Sequence, residues 1–328
     1  MKIIVAALFC LVAFCLVSVT TNAQSQKKSK EFKIPADYKP ISPENSPALQ
    51  TLLDAAVRET LEKFASKKLK AENLAVTLID LRETNFLKTA NVRGEEKIYP
   101  ASVVKMFYMN ALQRWLEDGR VKRTPELERG LRDMITVSSN EATQYVLDVL
   151  TGTSSGAEMP AKEFEKWSDK RNIVNRFYAA QGYQNINVNQ KTFCEDAYGI
   201  EQQFRNYKGN NRNMLTTNAV ARLLTEIVLG RTNTPERNKI MMDLMRRDWE
   251  AQIGKTEDRE FISYALKPGT KLWTKEGDTS KTRHDAAYIE TPDGLKFVIV
   301  IFTENFAGER DIIPTIAAKI LDDLGKIK

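Results

Sequence analysis

Two residues stand out for their types and spacing: Ser102 and Lys105, at the head of the apolar run Val103-Val104-Lys105-Met106-Phe107-Tyr108-Met109-Asn110-Ala111-Leu112. The run has no Gly or Pro and reads as a mostly buried helix. Pro100 precedes it, where a missing N–H costs little. Positions i and i+3 share a helix face, so the lysine stem brings its amine towards the serine hydroxyl. Burial disfavours the ammonium, and a neutral amine beside a hydroxyl is a base-plus-nucleophile pair. A capping serine and a snorkelling lysine would look the same in isolation.

Two further constellations share the same chemistry. Ser138-Ser139-Asn140 lies at a junction between two helical stretches, where a hydroxyl and an amide can face a cleft; alone, it reads as a helix cap. Lys275-Glu276-Gly277 ends a strand and is followed by Thr282-Arg283-His284-Asp285. Gly277 lets the backbone approach a ligand closely, and Lys275 and Arg283 supply a positive wall suited to a carboxylate.

The elements that must hold these residues are legible in order. Ser46 to Phe64 has one apolar face and reads as a helix. Ala75 to Leu81 and Phe86 to Val92 read as a strand hairpin. Helices are expected at Ser102–Gly119, Pro125–Met134, Ser139–Leu150, Pro160–Ala180, Thr216–Leu229 and Pro235–Glu250. Residues 183–213 are rich in Asn and without periodicity, a long irregular segment of the kind that is often functional. Lys271–Lys275, His284–Thr291 and Leu295–Thr303 read as strands, with a helix from Arg310 to Leu324. Strands at both ends of the chain make one five-stranded antiparallel sheet with the terminal helices on one face, an α/β (α+β) fold. The expected division is an α/β lobe of residues 46–99 and 231–328 around an inserted all-α lobe of residues 100–230.

Composition bounds the function. The 328 residues are 42% hydrophobic and 28% charged, with a formal net charge of +6 of mixed sign along the chain, which gives no nucleic-acid footprint. Residues 1–23 have a positive start, an apolar core and a small residue at the end, the pattern of a secretory signal peptide, with an uncleaved membrane anchor as the alternative. Residues 24–45 are polar, Lys-rich and interrupted by prolines, and read as a flexible linker. Cys10 and Cys15 lie in the leader, so Cys194 is alone in the body and no internal disulfide is expected. With His284 the only histidine, neither a metal site nor any other cofactor is expected, and a Ser-His-Asp triad would have to use that one ring.

Taken together, the three motifs resemble those of the class A β-lactamase and penicillin-binding superfamily of serine acyl transferases, in which S-x-x-K opens a buried helix, S-x-N lies across the cleft and K-T-G lies on the facing strand. Ile135-Thr136-Val137-Ser138-Ser139-Asn140 and Thr282-Arg283-His284-Asp285-Ala286-Ala287 carry the likeness beyond the motif letters. The resemblance implies that Ser102 is acylated, Lys105 accepts its proton and Ser138 relays a proton to the leaving nitrogen. It implies that Asn140 binds the substrate amide, and that Lys275 supports Ser138 and the substrate carboxylate, with Arg283 beside it. The backbone N–H groups of Ser102 and Asp278 would form the oxyanion hole. A glutamate on the long loop would activate the deacylating water, and the residue count selects Glu201, with Glu195 as the alternative.

The departures concern substrate. Only 36 positions separate Ser102 from Ser138, an interval shorter than the family's, and residues 153–185 look inserted. Glu276 replaces the hydroxyl residue of K-T-G, setting a carboxylate where a substrate carboxylate would lie. The expected substrate is a β-lactam, hydrolysed in a bacterial periplasm or after secretion. The alternatives are D-alanyl peptidase or esterase action on cell-wall peptides, and a non-catalytic descendant that binds peptidoglycan or a protein partner. No nucleic-acid partner is expected, and no membrane partner beyond the possible anchor.

Overall fold

The computed structural model describes residues 31–35, 38–252 and 261–327. The leader expected at residues 1–23, with Cys10 and Cys15, lies outside them, as do residues 24–30 of the expected linker. No helix among the described residues is long and apolar enough to cross a membrane.

Seven strands form one sheet: β1 (Glu44–Asn45), β2 (Leu74–Asp80), β3 (Lys88–Val92), β4 (Arg246–Arg247), β5 (Lys271–Asp278), β6 (Thr282–Glu290) and β7 (Lys296–Glu304). Their order is β1-β3-β2-β7-β6-β5-β4. The middle five are the expected antiparallel set. The sheet exceeds expectation by a two-residue strand at each edge: β1, parallel to β3, and β4, antiparallel to β5 at Trp273 and Leu272. Elements that short leave no periodicity to read.

Period-two alternation sorts the strand residues between two cores. Ala75 and Ile79 of β2, Ala286 and Tyr288 of β6 and Val298, Val300 and Phe302 of β7 join the core under the helical lobe. Leu74, Val76, Leu78, Ala287, Ile289, Phe297, Ile299 and Ile301 join the other, against α1 (Pro47–Lys63) and α10 (Ile312–Asp323). Because both faces are covered, β2 and β7 read as unbroken apolar runs.

Between β3 and β4 the chain forms α2 (Val104–Glu117), α3 (Pro125–Thr136), α4 (Asn140–Thr151), α5 (Ala161–Arg171), α6 (Ile173–Ala180), α7 (Ile200–Asn206), α8 (Thr217–Val228) and α9 (Pro235–Met245). The single helix expected over 160–180 is two. Asn172 breaks it: its Nδ2 bonds the Ser168 carbonyl, and its Oδ1 accepts from Asn175 and Asn189. An Asn that can bond locally competes with the helix in this way.

The described part of the expected linker is docked. Phe32 packs on Trp115 and Phe177, Glu31 pairs with Arg176 at 2.9 Å, and the Tyr38 hydroxyl donates to buried Glu226 at 3.0 Å. Two aromatics and an ion pair outweigh the polar composition that suggested a free arm.

Candidate active site

Helix α2 is buried on every side from Val104 to Trp115, so Lys105 has no route to water along it. A 3-10 turn, Ala101–Val103, precedes the helix and carries Ser102, which is part-exposed between buried neighbours. Ala101 has φ +46, in the left-handed region that a residue with a Cβ seldom enters. Ser138 has φ +56. Strained backbone thus sets both Ser138 and the residue leading into Ser102. Ser139, next in the chain, does the capping of α4 by accepting from Ala142 N–H at 3.0 Å, which leaves Ser138 for the cleft.

Lys105 Nζ donates to Ser138 O at 2.5 Å, Asn140 Oδ1 at 2.9 Å and Ser138 Oγ at 3.2 Å. Burial, and then the Lys275 charge, pull its ammonium down to about 7, against the opposing fields of Glu276 and Glu141. The amine is therefore a competent proton acceptor near neutral pH.

The strand side is just as close. A Cβ on Gly277 would lie 2.7 Å from Ser102 N, 2.9 Å from Val103 N and 3.0 Å from Pro100 O, so β5 sits directly against the turn that carries Ser102. Asp278 follows, in register with Arg283. Because β4 covers only Leu272 and Trp273, the stretch Thr274–Asp278 is an open strand edge among the described residues.

Lys275 is fully buried, and its Nζ donates to the Glu276 carbonyl at 2.8 Å and to Glu276 Oε1 at 3.1 Å. The expected Lys275–Ser138 support is thus replaced by a Lys275–Glu276 pair, though the lysine's charge still reaches Lys105. Burial alone would raise the Glu276 carboxyl, but Lys275 and Arg247 outweigh it and hold it below the usual range. Arg247 Nη2 lies 3.7 Å from Glu276 Oε2. Arg283 donates Nε–H to Ala307 O at 3.1 Å and lies over the Phe261 ring. The expected carboxylate wall is thus engaged within the protein.

His284 is structural. Its Nε2–H donates to Tyr99 O at 2.9 Å, and its Nδ1 accepts from Thr303 N–H at 3.2 Å. Burial lowers it to about 4, so the ring is neutral at neutral pH and pins the segment that leads into Ser102. Among the described residues, no group of three or more His, Cys, Asp or Glu side chains is arranged to hold a metal ion.

The loop glutamates are placed otherwise than expected. Glu201 is buried in the first turn of α7, and Arg171 from α5 grips it with two bonds of 2.8 and 2.9 Å. Ser155 donates to it at 3.0 Å, and Lys191 lies 3.4 Å away. The carboxylate is thus committed chiefly to holding the buried Arg171 in place. Glu195 is exposed and lines a small hollow with Tyr99, Arg205 and Arg212. The loop residue beside Lys105's partners is instead Cys194, an exposed free thiol whose Sγ accepts from Asn140 Nδ2 at 3.5 Å and lies 3.9 Å from Glu141 Oε1. Sequence reading noted Cys194 only as an unpaired cysteine, and Glu141 not at all, although it directly follows Asn140. The segment that carries Cys194 is built from its asparagines. Asn213 Oδ1 accepts from Asn189 N and Gln190 N at 3.0 and 2.9 Å, and its Nδ2 returns a bond to Gln190 O. These side chains stand in for a strand ladder.

Comparison with known proteins finds the same fold. In structure, the chain is similar to PBP-A, with a TM-score of 0.59 and 18% identity over 88% of this chain and 100% of that one. An L158E mutant of PBP-A, solved as an acyl-enzyme complex with penicillin G, gives a TM-score of 0.60 at 18% identity, with the same coverage. A β-lactamase from Sphaerobacter thermophilus gives 0.59 at 19% identity over 85% of this chain and 98% of that one. No curated protein matches the chain. The sequence profile of the β-lactamase enzyme family matches residues 56–324, and the chain belongs to that family of serine hydrolases.

Proposed function

We propose that the protein is a penicillin-binding serine acyl transferase that forms a long-lived acyl-enzyme on Ser102. The observation that carries this reading is the Lys105 amine, drawn down to about 7 and bonded to Ser138 and Asn140, one helical turn from Ser102. Neutral Lys105 takes the Ser102 proton as Oγ bonds to the substrate carbonyl. The oxyanion lies against the N–H groups of Ser102 and Asp278, donors worth about 3 kcal/mol each where their loss has been measured. The C–N bond breaks as Ser138 Oγ–H protonates the nitrogen, and Lys105 restores the Ser138 proton. The PBP-A L158E mutant, solved as an acyl-enzyme with penicillin G, offers a chemical precedent.

Deacylation separates a transferase from a lactamase. With Glu201 locked to Arg171 and Cys194 facing Asn140, the loop offers a thiol where an efficient lactamase needs a carboxylate. A cell-wall peptide is then the natural acyl donor, and a leader at residues 1–23 would deliver the body to it. A second reading, β-lactam hydrolysis, has Glu141 as its base, since this carboxylate acts on Lys105 and touches Cys194. The test is intact mass after a pulse of penicillin G. The expected result is a stable adduct on Ser102 that Cys194→Glu makes shorter-lived. Rapid turnover by the parent, abolished in Glu141→Gln, would establish the hydrolase instead.

A further inference from the structure

Resting on the acyl-transfer reading above, we propose that Glu276 is a specificity-determining residue that selects acyl donors bearing a carboxamide, in place of a carboxylate, on the leaving portion that lies along β5. Three observations lead there. First, Glu276 engages the two cations beside it: Lys275 Nζ is 3.1 Å from Glu276 Oε1 and Arg247 Nη2 is 3.7 Å from Oε2. Second, the surrounding wall is acidic. A cleft of about 470 Å³ on this side of β5 is lined by Asp248, Glu276, Asp278 and Asp285, with Arg247 the one cation among the described residues that line it. Asp285, opposite Glu276 in register, has its carboxylate occupied by the Thr274 hydroxyl and Ile262 N–H. Third, Glu276 Oε2 is a buried acceptor that completes no hydrogen bond among the described residues, with Arg247 Nη2 standing off at 3.7 Å. Such an atom favours a ligand that brings an N–H and penalises one that brings a second anion.

A carboxamide satisfies all three: it has no charge to oppose Glu276 or Asp278, and its NH2 supplies the missing donor to Oε2. An ester removes the charge clash but brings no donor. Comparing these forms therefore separates recognition by hydrogen bond from mere relief of repulsion.

The experiment uses D-alanyl thioesters of thioglycolic acid, of its carboxamide and of its methyl ester. Each acylates Ser102 as Oγ attacks the carbonyl, the C–S bond breaks and the thiolate leaves. Thioester absorbance gives kcat/KM, and mass spectrometry places the adduct. For the parent enzyme the expected order is carboxamide, then ester, then carboxylate, with about tenfold or more between first and last, the usual scale of one mismatched buried polar contact. Glu276→Gln should bring the three within a few-fold, and Glu276→Thr should put the carboxylate first. Circular dichroism checks the fold of both variants, and Glu276→Gln, nearly isosteric, stands if Glu276→Thr misfolds. A parent that acylates fastest with the carboxylate, or variants that keep the parent's order, overturns the inference while the acyl transfer stands. Absence of any Ser102 adduct overturns both.

Discussion

Replacing Lys105 by Met tests the centre of the site and yields two numbers. A lysine held at about 7 instead of 10.5 is opposed by its surroundings when charged. At 1.36 kcal/mol per unit, the folded state loses roughly 5 kcal/mol at low pH. The sign follows from proton counting. Below about 7 both folded and unfolded chains hold the proton, and the whole penalty is present. Between about 7 and 10.5 the unfolded chain holds more protons than the folded one, so the penalty fades as pH rises. At pH 9 roughly 2 kcal/mol remain. Lys105→Met removes the titration but strands the Ser138 carbonyl and Asn140 Oδ1, a pH-independent loss of about 1–3 kcal/mol for each group. The absolute stability change therefore mixes two effects, whereas its change with pH isolates the first. Relative to the parent, the variant should be about 3 kcal/mol better off at pH 6 than at pH 9. Urea unfolding of both proteins at the two pH values measures this. Parent acylation should rise about tenfold from pH 6 to pH 8 and then level, following the neutral amine. A parent-to-variant difference that stays constant with pH, together with a flat acylation profile, would refute the assignment of Lys105 as the proton acceptor.

Two other substitutions probe different links. Glu201→Gln leaves Arg171 and Lys191 facing Asp148 alone in a buried cluster, so stability should fall by roughly 3–5 kcal/mol, while the folded enzyme deacylates at the parent rate; slower deacylation with an unchanged Tm would restore Glu201 as a base. Gly277→Ala pushes a methyl group against the Ser102 and Val103 amides, so acylation should drop by about 10² or more, the scale of a lost oxyanion donor, and an acylation rate within threefold of the parent would show that β5 yields freely.

The placement of the candidate residues was legible where chemistry fixes both residue type and spacing. Ser102 and Lys105 needed only a helix, Gly277 only a close approach, and the five long strands only their apolar runs. The loop base was not legible, because its assignment rested on counting. A count cannot show that Arg171, in the inserted helix α5, claims Glu201. It also cannot show that Asn187, Asn189, Asn211 and Asn213 fold the irregular segment through their side chains so that Cys194, and not a glutamate, meets Asn140. The docked arm was missed for a related reason: composition averages over Phe32 and Tyr38, and those two side chains do the anchoring.

The open edge of β5 has a consequence for how the protein behaves in concentrated solution. At the far side of the sheet, β1 pairs with Lys88 and Thr89 of β3, whereas among the described residues no strand pairs with the outer edge of Thr274–Asp278. A bare edge invites a neighbouring molecule to add its own strand. Charge is the available deterrent, and on this edge it comes from Glu276 and Asp278. Glu276 thus guards against aggregation with the same carboxylate that filters substrates. A variant engineered to accept carboxylates should lose colloidal stability as it gains scope, and light scattering against concentration would register that loss even where a melting curve does not.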